Sequence, residues 1–397
     1  MLSISRYLEV ARRGLSPSHL AASAPSRYGA GARPPVVVWN LTQRCNQSCA
    51  HCYASATTHP SPDELDTAAC RRVLHEMADA SVPVVIFSGG EPLLRKDLLE
   101  LVTLASELGV RPQLSSNGTL ADVARLEPLE AAGLGYFGVS IDGQPGFNDV
   151  FRGMHRGHAR AVKGLEAARA VGLRTGLRMT VTRRNSGDVP AMLELAEAVG
   201  ATRFYVSHLI EVGRGSDVDA LPPARTRELL LDLFELALAA QDGGREVQVV
   251  TGGNESAGPL FVDWLARRCG PEAAATVRRL LEARGGNSSG VGILNIDHDG
   301  LVHPDQFWRS AVLGDLKTQP FADVLEHPLR QQLARRAELL GGRCGDCRFV
   351  SLCGGGHRER ALARLGDAWG ADPGCVMTDS EILPPSIDRG LAAGVHA

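Results

Sequence analysis

Seven of the chain's nine cysteines fall into two groups. Cys45, Cys49 and Cys52 form a Cys-x-x-x-Cys-x-x-Cys loop. Three thiolates are one short of the four that normally close a four-iron cluster or a structural zinc site. A cluster held by three ligands leaves one iron open, and an open position lets a metal site bind and activate a small molecule. Zinc is the plain alternative, but the loop offers no fourth cysteine, and His51 adjoins Cys52 too closely to ligate beside it without strain. The second group, Cys344-x-x-Cys347-x-x-x-x-x-Cys353 followed by Cys375, is a complete four-thiolate set. Soft ligands of this kind suit zinc or iron–sulfur. The irregular spacing and Gly354-Gly355-Gly356 favour a loop wrapped round a bulkier cluster. Cys70, in a helical pattern, and Cys269, beside a Gly-Pro break, read as unliganded thiols.

Composition bounds the setting of these groups. The chain has 397 residues, 44% hydrophobic and 22% charged, enough for a large catalytic domain and a smaller one beside it. Sparse aromatics (5%) and a net charge of -3 argue against nucleic acid as a partner. No apolar run is long enough to cross a bilayer, so no membrane partner is expected. Clustered, unpaired cysteines fit a reducing compartment, and a cytoplasmic location follows as an expectation. Residues 1–34 carry Arg6, Arg12, Arg13, Arg27 and Arg33 without a hydrophobic signal core. Ile4, Tyr7, Leu8 and Val10–Ala11 fit one short amphipathic helix ahead of a Ser/Ala/Gly/Pro linker, together a flexible amino-terminal arm.

The cysteines need elements to hold them. Apolar runs at 36–41, 83–88, 110–115, 136–141, 173–181 and 204–209 read as strands. Helical patterns at 65–80, 96–108, 121–132, 159–171, 189–199 and 221–241 follow them in turn. Such alternation calls for a parallel sheet covered by helices. Six units give an α/β fold, a partial (β/α)6 TIM-like barrel spanning 35–242, whose active residues gather at the carboxyl ends of the strands. The unusual residues sit there: the cysteine loop after the first strand, Gly89, Gly90 and Glu91 after the second, Ser116–Gly118 after the third and Asp142 after the fourth. Beyond a boundary near Gly243 the pattern changes. A strand at 245–251, one or two helices over 259–284, a hairpin of 291–296 with 301–303, and a helix near 321–340 lead to the second cysteine group in a domain of 243–397.

Ser88-Gly89-Gly90-Glu91-Pro92, paired with the three-cysteine loop, resembles the radical S-adenosylmethionine (AdoMet) superfamily over about 36–209. That resemblance implies a 4Fe-4S cluster on Cys45, Cys49 and Cys52, whose open iron is chelated by the amine and carboxylate of AdoMet. Reductive cleavage would then yield a 5′-deoxyadenosyl radical. Gly89, Gly90 and Glu91 match the segment that meets the AdoMet amino group. Ser115, Ser116 and Asn117 match the polar third-strand end near AdoMet, and Ser140 and Asp142 the fourth-strand end. Arg152 and Arg178 are candidates for the AdoMet carboxylate, which suits bidentate arginine. An external donor such as flavodoxin or ferredoxin would supply the electron.

The carboxyl-terminal part resembles the SPASM/twitch extension, which holds auxiliary clusters, and Asp299-Gly300-Leu301-Val302-His303-Pro304 fits it as well. Many such domains place a cysteine after that proline, where this chain has Asp305. One auxiliary 4Fe-4S cluster, on Cys344, Cys347, Cys353 and Cys375, is therefore expected rather than two. Further stretches, among them Ser207-His208-Leu209, Gly213-Arg214-Gly215 and Gly285–Gly292, resemble the radical AdoMet family of haem d1 biosynthesis nearly end to end. That family replaces two propionate side chains of didecarboxysirohaem with oxo groups, so an iron tetrapyrrole is the implied substrate. Arg214, Asn254, Asn287 and Trp308 are candidates for its pocket, and His208 or His303 for an approach to its iron. Three rivals remain: a radical AdoMet decarboxylase that turns propionates of a haem precursor into vinyl groups, a SPASM peptide-modifying enzyme, and a non-catalytic iron–sulfur scaffold. Mass loss from the tetrapyrrole separates the first. The arm is too short for the leader-binding domain the second often carries, and AdoMet cleavage excludes the third.

Overall fold

The computed structural model describes residues 1–13 and 34–382. The six expected strands form as β2 (Val36–Asn40), β3 (Val84–Ser88), β4 (Arg111–Ser116), β5 (Phe137–Ser140), β6 (Thr175–Val181) and β7 (Arg203–His208). Neighbours pair in parallel and in sequence order. Parallel strands covered on both faces need apolar residues throughout, which Val-Val-Val-Trp and Val-Val-Ile-Phe provide. Val37, Phe87, Leu114, Phe137, Leu177 and Phe204 are fully buried. The crossovers start where side chains can cap them: Asp66 accepts from the Ala69 amide at 2.8 Å for the helix Thr67–Asp79, and Asp122 from Arg125 at 2.9 Å for Val123–Ala131.

The sheet does not stop at six strands, nor at Gly243. β8 (Gln248–Gly252) pairs in parallel with β7, and β1 (Leu2–Ser3) closes that flank antiparallel to β8. At the other flank β9 (Ile293–Ile296) lies parallel to β2, followed by β10 (Leu301–His303) and β11 (Gly314–Asp315). The described residues thus form one eleven-stranded sheet in the order β1-β8-β7-β6-β5-β4-β3-β2-β9-β10-β11. The residues after 243 extend both of its edges.

The amino-terminal helix forms at Ile4–Arg13, but it is docked rather than a loose arm. Ile4 and Leu8 are fully buried, Gln241 donates to the Ser5 carbonyl at 2.6 Å, and the Ser5 hydroxyl accepts from Val249 at 2.9 Å. The linker expected after it, with Arg27 and Arg33, lies outside the described residues. The single helix expected at 321–340 is broken into Phe321–Leu325, Pro328–Ala334 and a 3-10 turn at Arg336–Glu338. Pro328 cannot donate into a continuing helix and drives His327 out of helical geometry. The β9–β10 turn forms as expected: Gly300 has φ +88°, and the Asp297 carboxylate accepts from Asp299 and Leu301, each at 3.0 Å.

Candidate active site at the carboxyl edge of the sheet

The three-cysteine loop leaves the end of β2 and is tied back on itself: Cys45 donates its amide to the Thr57 carbonyl at 2.7 Å. Amides of Gln47 and Ala56 point at the Cys45 and Cys52 sulfurs, each at 3.4 Å. Burial pushes the Cys45 thiol up to about 12, and Cys49 rises for the same reason, while the three sulfurs repel one another. Thiols so placed are poor anions alone and need strong positive charge at their centre, which an iron cluster supplies. The donor set therefore fits a cluster on Cys45, Cys49 and Cys52. Arg214, expected at the substrate pocket, lines the cavity beside the cysteines and also clamps this loop: its guanidinium donates to the carbonyls of Cys49 (2.9 Å) and Ala56 (2.7 Å).

The glycines of Ser88–Pro92 serve the same loop. A Cβ on Gly89 would stand 2.6 Å from the Thr42 carbonyl oxygen, and one on Gly90 2.2 Å from that of Arg44. Gly90 and Glu91 donate their amides to those carbonyls at 2.7 and 2.8 Å. The Glu91 carboxylate, expected to meet AdoMet, has no exposed surface. It accepts from the Ser116 hydroxyl (2.8 Å), the Asn117 amide (2.8 Å) and the Leu93 amide (3.1 Å). Glu91 thus fixes the end of β4, while Gly89 and Gly90 line the cavity beside the cysteines. Burial pushes its carboxyl up against those three donors.

A similar correction applies to Asp142 and Arg152. Asp142 is fully buried and pairs with Arg152 at 2.8 Å and His51 at 3.2 Å, while accepting from Thr180 at 2.8 Å. Burial opposes its ionisation, but Arg152 and His51 hold the carboxyl well below the usual range. Arg152 also reaches the Cys49 sulfur at 3.9 Å, so its charge is already shared between a carboxylate and a thiol. Arg178 is different. It donates to the Ser115 hydroxyl at 2.6 Å, lies 6.0 Å over the Tyr136 ring and has no carboxylate partner among the described residues. Gly138 makes room for it: a Cβ there would fall 2.6 Å from its Nε.

Ser115, Ser116, Asn117, Ser140, Arg152 and Arg178 line one cavity of about 200 Å³ with the three cysteines. Sequence reasoning missed Thr180, Tyr205 and Ser207 in its wall. The signal was the alternation in β6 and β7, where Arg178, Thr180, Arg203, Tyr205 and Ser207 are the partly exposed positions between buried apolar ones.

A second cavity, of about 530 Å³, adjoins the first and shares His208 and Leu209 with it. Arg183, Arg360 and Arg364 line it, as does Asn254, which donates to the Gly374 carbonyl at 2.7 Å. The other pocket candidates lie elsewhere. Asn287 accepts from Arg336 at 2.8 Å, and Trp308 is buried with Val291 and Leu333. His303 faces Asp297 at 3.3 Å and the Ala311 carbonyl at 2.9 Å, so its ring is committed.

Cys344, Cys347, Cys353 and Cys375 lie within electrostatic reach of one another. Burial raises Cys347, Cys353 and Cys375, and mutual repulsion adds to it. Gly354, Gly355 and Gly356 all have positive φ, which turns the chain sharply round Cys353 and aims the Gly355 amide at its sulfur at 3.4 Å. Among the described residues no three such side chains converge as on a single metal ion.

Comparisons agree with this site. The Radical SAM superfamily matches residues 39–196. The chain is 38% identical to the pre-heme d1 synthase of Dinoroseobacter shibae, over 98% of this chain and 96% of that one. It is also 38% identical to the Fe-coproporphyrin III synthase of Methanosarcina barkeri, over 92% of each chain. Among solved structures, Streptococcus suis SuiB bound to S-adenosylmethionine aligns with TM-score 0.67 at 17% identity, over 87% of this chain and 77% of that one. A cluster loop braced by a Gly-Gly-Glu-Pro turn and full-length kinship with enzymes of this kind lead to one statement: the chain belongs to the radical SAM superfamily, whose members use a 4Fe-4S cluster and AdoMet.

Proposed function

We propose that the protein converts didecarboxysirohaem toward pre-haem d1, replacing two propionate side chains with oxo groups. The observation that carries this reading is the 38% identity to a pre-heme d1 synthase along almost the whole of both chains. The adjoining cavities suit it: AdoMet beside Cys45, Cys49 and Cys52, and an anionic macrocycle in the larger, arginine-lined space. AdoMet bound at a reduced cluster would supply the hydrogen-abstracting chemistry that carbon–carbon scission at a propionate needs. Arg178, held by Ser115, would receive the AdoMet carboxylate, and Gly89, Gly90, Ser140 and Asn117 line the same cavity. Arg152 and Asp142 hold the cluster loop rather than the ligand.

In this reading residues 35–242 form the radical barrel, and residues 243–397 carry one auxiliary cluster on Cys344, Cys347, Cys353 and Cys375. Held there, such a cluster would supply an electron acceptor for a substrate radical. A flavodoxin or ferredoxin in the cytoplasm reduces the first cluster. Equal identity to an Fe-coproporphyrin III synthase supports a second reading, with a different iron tetrapyrrole as product.

Anaerobic incubation of the cluster-loaded protein with AdoMet, dithionite and didecarboxysirohaem, followed by mass analysis, tests the first reading. Loss of two propionates with gain of two oxo groups is expected, with 5′-deoxyadenosine formed alongside, and Cys45→Ala should make neither. A product that keeps its propionates, or shows only loss of carbon dioxide from them, overturns it.

A further inference from the structure

His208 ends β7 on the wall that the two cavities share. Its side chain is 5% exposed, and neither Nδ1 nor Nε2 has a hydrogen-bond partner among the described residues. The other buried histidines each face a carboxylate: His303 with Asp297, His298 with Asp299 at 3.5 Å and His357 with Glu255 at 3.6 Å. Leaving a buried ring nitrogen unpaired is costly, so an orphan on a cavity wall points to a ligand the ring is kept for. The backbone beneath it is fixed, since a Cβ on Gly253 would stand 2.4 Å from the His208 carbonyl oxygen.

We propose that His208 is the axial ligand to the iron of the bound tetrapyrrole, donating a ring-nitrogen lone pair from the wall between the two cavities. The proposal rests on the iron-tetrapyrrole reading above. Burial and the nearby Arg360 push the imidazole down to about 4, so the ring is neutral near pH 7, the form that binds metals. The same setting makes it a poor proton donor, and among the described residues no carboxylate pairs with it. Apolar Leu209, Leu221 and Pro373 offer flat contact for a macrocycle, while Arg183 lines the same cavity for its carboxylates. A ligand at this point would hang the macrocycle by its iron next to the AdoMet cavity and fix which edge faces it.

The test is an anaerobic titration of the cluster-loaded, full-length protein with iron(III) coproporphyrin III and with metal-free coproporphyrin III. Electron paramagnetic resonance of the ferric probe should show a low-spin, imidazole-ligated iron in the wild type. The iron probe should bind at least about tenfold more tightly than the metal-free one. In His208→Ala that preference and the low-spin signal should vanish, metal-free affinity should persist as proof of an intact pocket, and added imidazole should restore the signal. His208→Ala that keeps the wild-type iron signal and preference overturns the ligand assignment alone. Wild type that binds neither porphyrin overturns the tetrapyrrole reading and the ligand with it.

Discussion

Glu91 spends a buried carboxylate on three donors, two of them backbone amides. Glu91→Gln keeps the shape but turns one acceptor into a donor that must face those groups. A loss of about 1–3 kcal/mol is expected, with reduced iron content, read by thermal melting and iron assay. The residue types at the site were legible, since thiols and a Gly-Gly-Glu-Pro turn advertise their chemistry. Their directions were not: whether Glu91 and Asp142 face a ligand or a neighbouring loop depends on partners 25 and more positions away, such as Ser116 and Thr180. His208 shows a further effect of environment. Burial and Arg360 lower its folded value to about 4, with Glu255 acting weakly the other way, against an ordinary 6.5. As pH falls, the unfolded chain takes the proton first. The stability is therefore complete above about 6.5 and is lost progressively toward about 4. At pH 5.5 the wild type should be about 1 kcal/mol less stable than at pH 7.5, beyond any loss in His208→Gln, as read from paired denaturation curves.

The strands and helices of the barrel were readable because their periods differ and each ends in a capping or turn signal, as at Asp66 and Gly300. The pieces that escaped were set by contacts or breakers. Arg336 is buried and bonds across to Asn287 and Ser289, and with Pro328 it divides what reads as one amphipathic stretch. The docked helix at Ile4–Arg13 could be read as amphipathic, but its berth against β8 could not. Close packing of two turns explains the glycines better than ligand access does. Gly90→Ala would force a methyl into the Arg44 backbone, with no flexible side chain to yield. The expected outcome is a folded barrel with a displaced cysteine loop: near-native circular dichroism, and loss of most of the first cluster's absorbance and of 5′-deoxyadenosine formation.

At the scale of the whole molecule, Pro373 and Gly374, next to Cys375, line the cavity that adjoins the first cysteine loop. Arg360 links the two regions, binding Asp372 at 3.0 Å and the Gly253 carbonyl at 2.6 Å. Cys344→Ala should accordingly remove about four irons per chain. It should leave AdoMet cleavage largely intact while abolishing tetrapyrrole conversion, as checked by iron assay, 5′-deoxyadenosine yield and product mass. The sheet order also dictates a timetable. β2, which launches the first cluster loop, is flanked on one side by β3 and on the other by β9, and Asn295 bonds to the Val38 carbonyl across 257 positions of chain. A ribosome must therefore deliver nearly three quarters of the protein before that edge is covered, and pairing across such a separation is slow. Until then β2 presents open backbone to any passing strand. Iron delivered early would meet a half-built cradle, so maturation of the first cluster belongs after synthesis, on a chain whose far end has already come home.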